Sequence, residues 1–401
     1  MNTKNTNLSL SERINRVQPS LTLIITAKAA ELRRQGKDII SLGAGEPDFG
    51  TPEHIQQAAI RAIQAGKTRY TAVDGIPELK AAIQAKFKRD NQLEYATDEI
   101  LVSSGGKQSF YNLCQALLNE GDEVIIPAPY WVSYPDMVLL AGGRPVIIKA
   151  GIDQNFKIAA EQLSKALTPK TKMLILNSPS NPTGAVYTPQ ELQALAEVLK
   201  AYPNVIIASD DMYEHIILGD TPFTNILQVA PELKERTLVM NGVSKAYAMT
   251  GWRIGYAAGP KTLIAGMRKV QSQSTSNPCS ISQYAAVEAL EGPQDCIQTM
   301  LTAFKERHQF VVERINQIPG FQCIPAQGAF YAFMDVSQAM AQKGFDKDTD
   351  FASAILDQKE VALVPGSAFG AEKHLRISFA TSLSQLKEAL ERIEDFIQTA
   401  T

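Results

Sequence analysis

The 401-residue chain predicts an α/β fold in which a mostly parallel sheet is flanked by helices. Three observations carry this reading. From residue 100 onward, short apolar runs alternate with loops and helical segments, the pattern of parallel strands with helices on their faces. The length, with 45% hydrophobic and 20% charged residues, is that of an ordinary globular chain with a large core and two domains. Four of the strands also end in polar groups, and in open α/β sheets the carboxyl ends of the strands are where ligands bind.

Leu21 to Gln35 has apolar residues at helical spacing and stops at Gly36, which predicts the first helix. Asp38-Ile-Ile-Ser-Leu42 reads as a short strand. It runs into Gly43-Ala-Gly-Glu-Pro-Asp-Phe-Gly50, a turn-rich segment whose glycines let backbone come close to a ligand. Thr51-Pro52 predicts an N-cap followed by proline at the first position of a helix reaching Ala65. A further helix is expected from Pro77 to Arg89, with Tyr70 on the loop between them.

Ile100-Leu-Val-Ser-Ser104 is the first strand of the repeating pattern. It ends in Gly105-Gly106-Lys107 and feeds a helix from Gln108 to Leu118, whose free N–H donors and positive dipole end form a seat for a phosphate. Glu123-Val-Ile-Ile126 and Pro145-Val-Ile-Ile148 follow as strands. The proline-bracketed loop Ala128-Pro-Tyr-Trp-Val-Ser-Tyr-Pro135 separates them, and its Trp131 is either a packing residue or a flat surface for a ring to stack on. Lys172-Met-Leu-Ile-Leu-Asn177 leads into Ser178-Pro-Ser-Asn-Pro-Thr-Gly184 and a helix from Pro189. Asn204-Val-Ile-Ile-Ala-Ser209 ends in Asp210-Asp211-Met212-Tyr213, acids that face the crevice unless they cap the next turn.

Lys245 lies between two core strands, Thr237-Leu-Val-Met240 and Arg253-Ile-Gly-Tyr-Ala-Ala-Gly259, on a long loop. Desolvated or set beside cations, such a lysine loses its proton and forms a Schiff base with an aldehyde. Ser244 and Arg253 supply a hydroxyl and a guanidinium fork for an anion beside that aldehyde. Aldehyde plus phosphate points to pyridoxal 5'-phosphate. Gly106, Asn181, Asp210, Ser244-Lys245 and Arg253 are the parts its site needs.

Composition limits the alternatives. A net charge of −3 without a dense basic run argues against nucleic acid and acidic membrane surfaces and leaves a small molecule as the partner. The four cysteines and four histidines are scattered, so neither a disulfide framework nor a metal site is expected. No apolar run approaches membrane-spanning length and the polar N-terminus lacks an apolar core, so a cytoplasmic protein is expected.

Taken together, Gly45-Glu-Pro-Asp-Phe, Asp74-Gly-Ile-Pro-Glu-Leu, Gly105-Gly-Lys-Gln, Pro129-Tyr-Trp-Val-Ser-Tyr-Pro, Asn181-Pro-Thr-Gly, Ser209-Asp-Asp-Met-Tyr, Ser244-Lys-Ala-Tyr-Ala-Met-Thr-Gly-Trp-Arg and Leu375-Arg-Ile-Ser-Phe-Ala resemble the class I, fold-type I aminotransferases, most closely their bacterial aspartate aminotransferase branch. The resemblance spans roughly the whole chain. It implies a large cofactor domain over residues 50–290 and a smaller α/β domain from residues 1–49 and 295–401, with Pro293 near the boundary.

The resemblance also implies roles. Lys245 holds the cofactor and moves the proton at the substrate α-carbon, and Asp210 pairs with the pyridine nitrogen so that the ring accepts charge. Tyr213 and Asn181 bond the ring oxygen, and Trp131 stacks on the ring. Gly105, Gly106, Lys107, Ser244 and Arg253 hold the phosphate, with Tyr70 reaching across from the second subunit of a homodimer. Arg376 clamps the substrate α-carboxylate, helped by Asn181 and the Gly45 backbone, and Lys107 is the cation available for an acidic side chain. Amino acids and 2-oxo acids are the implied substrates. Relatives often carry lysine where Gln18 stands, and some of those also transaminate prephenate, so Gln18 counts against that activity. Asp211, standing in place of a glutamate, is expected to matter little. Aromatic, kynurenine or prephenate transamination, a β-lyase and a cyclopropane-forming synthase share this fold, while a cofactor-binding regulator would carry a fused DNA-binding domain.

Overall fold

The computed structural model describes residues 9–19 and 21–399. The polar N-terminus, residues 1–8, lies outside them. The strands are β1 Ile40–Ser41, β2 Ile100–Ser103, β3 Glu123–Ala128, β4 Arg144–Lys149, β5 Thr171–Asn177, β6 Ile206–Asp210, β7 Thr237–Gly242, β8 Gly255–Ala258, β9 Gln322–Cys323, β10 Tyr331–Asp335, β11 Val361–Ala362, β12 Val364–Pro365 and β13 His374–Ser378.

Seven of them form one sheet in the order β2-β8-β7-β6-β5-β3-β4, parallel except for β8, which runs antiparallel to both neighbours. Its strands are apolar on both faces. Ile125, Leu174, Ile207 and Val239 enter one core, whereas Val124, Met173, Ala208 and Leu238 enter the other. Helices cover both faces, which is why these strands read as continuous hydrophobic runs rather than alternating ones. A four-stranded antiparallel sheet, β12-β13-β10-β9, and the parallel pair β1-β11 build a second region. Its core joins Leu375 and Ile377 to helix residues such as Phe304, Phe351 and Leu386.

The elements predicted at residues 21–35, 52–65, 77–89 and 189 onward are helices, the third ending in a π-helical turn over Phe87–Asn91. Three local expectations change. Thr51 does not cap its helix, which starts at Glu53; its hydroxyl instead donates to the Ala248 carbonyl at 2.7 Å and accepts from the Trp252 indole at 2.9 Å. The loop bracketed by Pro129 and Pro135 turns helical at Ser133, because Ser133–Leu140 packs Tyr134, Met137 and Val138 into the sheet. Arg253 is not a strand residue. It sits at φ 57°, left-handed, between the 3-10 turn Thr250–Trp252 and β8.

Candidate active site

A cavity of about 410 Å³ opens at the carboxyl ends of the parallel strands and is closed on its other side by Gly43–Glu46, Tyr331 and Arg376. Of the residues singled out in the sequence, Gly45, Gly106, Lys107, Trp131, Asn181, Asp210, Tyr213, Ser244, Lys245, Arg253 and Arg376 line it. Gly105 and Tyr70 do not. Gly105 matters for conformation: its φ of +91° lets β2 turn into the helix Gly106–Leu117, and a Cβ there would meet the Arg253 guanidinium at 2.3 Å. Tyr70 is 92% exposed and does not line the cavity of its own chain.

Lys245 follows the end of β7, and its Nζ donates to the Gly45 carbonyl at 2.5 Å. Burial and then the charge of Arg253 push its amine down to about 8, with Arg376 adding to the shift and Glu46 and Asp210 opposing it. Asp210 ends β6. Burial raises its carboxyl, while the Tyr134 hydroxyl, donating to Oδ2 at 2.5 Å, and the Met212 N–H pull it back. The Asn177 side chain donates to the Asp210 carbonyl at 3.0 Å and so ties the ends of β5 and β6 together.

Arg376 is 3% exposed, alternating on β13 with the core residues Leu375 and Ile377. Its Nη1 donates to Asn181 Oδ1 at 2.9 Å and its Nη2 to the Gly43 carbonyl at 2.7 Å, while its Nε is buried with no partner among the described residues. The carbonyl at Arg376 is therefore that of Gly43; Gly45 offers its own to Lys245. Lys107 is exposed at the cavity rim, with its amine 5.1 Å from the centroid of the Trp131 ring.

The sequence reading missed Tyr331, Tyr134 and Asn177. Tyr134 stands inside a quoted motif and Asn177 ends a strand as Asp210 does, so both carried a positional signal. Tyr331 sits in the aromatic run Phe330–Phe333, where nothing separates a cavity residue from a core one.

The parts fit a carbonyl cofactor with a phosphate tail. One end of the cavity has a helix N-terminus with Ser244 and Arg253, the middle a lysine close to neutrality opposite a buried carboxyl, and the far wall an arginine with a nitrogen unpartnered. Fold and site are those of a pyridoxal-phosphate-dependent transaminase. The chain belongs to the aminotransferase class I and II family, which it matches over residues 37–393. It is 57% identical over 396 residues to an aspartate/prephenate aminotransferase of Nitrosomonas europaea, covering 97% of this chain and 100% of that one. It is 53% identical over 389 residues to an aspartate aminotransferase of Bacillus sp. strain YM-2, covering 97% and 99%. The aspartate aminotransferase structure from Rhizobium meliloti superposes with a TM-score of 0.93 at 50% identity (97% of this chain, 99% of that one), and that from Thermus thermophilus with maleate at 0.91 and 44% (96% and 99%).

Proposed function

We propose that the enzyme moves an amino group between L-aspartate and 2-oxoglutarate by a ping-pong mechanism. The observation that carries this reading is the pair of cationic side chains left for the substrate, Arg376 buried on one wall and the Lys107 ammonium on the rim, which suits a substrate with two carboxylates. Pyridoxal 5'-phosphate supplies an aldehyde that takes the amino group from one substrate and returns it to the next, and a ring that spreads the charge left at the α-carbon. Lys245 would hold the cofactor at its aldehyde end and, when free, would move the proton at the substrate α-carbon, a task its lowered basicity suits. The Asp210 carboxylate would hold the proton on the pyridine nitrogen, Tyr213 and the Asn181 Nδ2 would donate to the ring oxygen, and Trp131 would cover the ring face. Gly106, the Lys107 backbone, Ser244 and Arg253 hold the phosphate.

Residues 50–290, and residues 1–49 with 295–401, are proposed to act as two domains that close over the substrate and exclude water. The confinement of β9 to β13 to residues 322–378 and the pairing of β1 with β11 support this division. We place the enzyme in the cytoplasm as a homodimer, with Tyr70 of each protomer serving its partner's phosphate. Among the described residues no helix is long and apolar enough to cross a membrane, and the cysteines are unpaired.

A panel of amino donors with 2-oxoglutarate tests the assignment: aspartate should exceed phenylalanine by at least tenfold in kcat/KM, and a reversed order would overturn it. Prephenate is a second acceptor to test, since two relatives at 57% identity, from Nitrosomonas europaea and Cereibacter sphaeroides, bear aspartate/prephenate names. Gln18 is exposed here. Gln18→Lys should raise prephenate turnover selectively, and an unchanged ratio to 2-oxoglutarate would remove Gln18 from specificity.

A further inference from the structure

Tyr331 lines the cavity beside Arg376 and Tyr213. It is fully buried on β10, with its ring under the Arg376 guanidinium at 4.4 Å from centroid to Cζ and its hydroxyl 2.8 Å from that of Tyr213. A Cβ on Gly45 would come within 3.0 Å of the same hydroxyl, so the segment that receives Lys245 is pressed against it as well. One phenol thus touches the arginine clamp, the Gly45 backbone and Tyr213.

Hydrogen-bond accounting orients the pair. The contact with Tyr213 is the only hydrogen bond of the Tyr331 hydroxyl among the described residues. If Tyr213 were the donor, the Tyr331 hydrogen would be buried with no acceptor, which costs on the order of 1–3 kcal/mol. If Tyr331 donates, both hydrogens are used: its own goes to the Tyr213 oxygen, and that of Tyr213 is directed into the cavity. A hydroxyl that accepts a hydrogen bond is also a stronger donor in its turn.

We propose that the Tyr331 hydroxyl is a positioning group for transamination: by donating to Tyr213 it turns the Tyr213 O–H toward the cofactor's ring oxygen and fixes that contact to the wall that carries Arg376. The proposal rests on the transaminase reading of Tyr213 and Arg376 given above. Donation from Tyr213 favours the negative ring oxygen and so lowers the pH at which the lysine–cofactor adduct loses its proton. Weakening the donor raises that pH.

The test is a spectrophotometric pH titration of the visible band in the holoenzyme, comparing wild type, Tyr331→Phe, Tyr213→Phe and the double variant. Tyr331→Phe keeps the ring under Arg376 and removes only the hydroxyl. Its midpoint should rise by about half a pH unit to one unit, the scale of one neutral hydrogen bond. Tyr213→Phe should shift it further in the same direction, and the double variant should match Tyr213→Phe alone, since the relay acts only through Tyr213. Affinity for succinate, an unreactive dicarboxylate, should change less than threefold in Tyr331→Phe. A midpoint that moves in Tyr213→Phe but not in Tyr331→Phe, or shifts that add in the double variant, would overturn this proposal alone. No movement in Tyr213→Phe would overturn the reading of Tyr213 and the proposal with it.

Discussion

Lys245 combines two properties that water keeps apart, a reactive amine and a fixed position. Because burial and Arg253 hold its ammonium at about 8 rather than at the ordinary lysine value, the free amine is populated near neutral pH. In cofactor-free protein, trapping of a small neutral aldehyde by borohydride should therefore rise through a midpoint near pH 8 and plateau above it, with Lys245 as the labelled residue. A midpoint near 10.5 would mean the cavity leaves the amine unperturbed. Lys107 carries the specificity prediction. Lys107→Ala should lower kcat/KM for aspartate and glutamate by roughly one to three orders of magnitude, the scale of one or two charge-assisted bonds, and leave aromatic donors nearly unchanged. Equal losses for aspartate and phenylalanine would tie Lys107 to the cofactor instead. The neighbours Asp210 and Asp211 divide between turnover and stability. Asp211 is 2% exposed, accepts from Ser209 and Asn225, and is pushed up to about 7 by burial and by Glu214. Asp210→Ala should slow turnover by roughly two to three orders of magnitude with little loss of stability. Asp211→Ala should cost about 1–3 kcal/mol in denaturant unfolding while turnover of the folded enzyme stays within a few-fold. Polar residues at strand ends were legible because a charge there has few places to go. Tyr331 was not, because a cavity wall and a core strand demand the same apolar ring.

At the scale of elements, the strand ends that carry Asp210 and Lys245 share one buried anchor. Glu214 accepts from Asn91 and from Asn241, each at 2.7 Å, and pairs with the Lys86 ammonium, which also donates to Asn91 Oδ1 at 2.7 Å. This joins the helix Pro77–Lys86 and its π-helical turn to the segments that follow β6 and end β7. Burial pushes the Glu214 carboxyl up, but Lys86, aided by His215 and Asn91, brings it below its ordinary value. A carboxyl lowered in the folded state contributes stability above its unfolded pKa, and that contribution disappears as pH falls through the folded value. Lys86→Met should thus destabilise by about 3–5 kcal/mol at pH 7, with the gap to wild type narrowing below about pH 4; a constant gap down to pH 3 would contradict the pairing. The helices and parallel strands were readable from apolar periodicity. The π-turn, the left-handed Arg253 and the bonds that take Thr51 away from its helix were not, since no local apolar pattern encodes them: Thr51 is 197 residues from its acceptor.

At the scale of the molecule, Tyr70, Ile60 and Ile63 are large apolar or aromatic side chains left exposed on the single chain. In a homodimer with shared sites, dilution should release cofactor as protomers separate, and Tyr70→Phe should weaken cofactor binding about ten- to a hundredfold, one lost hydrogen bond to a charged group, without changing the dimer mass seen in sedimentation. Cofactor affinity independent of protein concentration and of Tyr70 would confine the site to one chain. The overall architecture followed from alternation of strands and helices, whereas the packing of Gly43 against Arg376 did not, because no local pattern records a contact across 333 residues.

That same contact sets a timetable for the newborn chain. Gly43 leaves the ribosome 333 residues before Arg376, to which it gives its carbonyl, and the parallel strands can assemble in the interval. Refolding from denaturant should repeat this sequence, with the far-ultraviolet helix signal returning first and catalytic competence following in a slower phase that depends on the two ends of the chain finding each other.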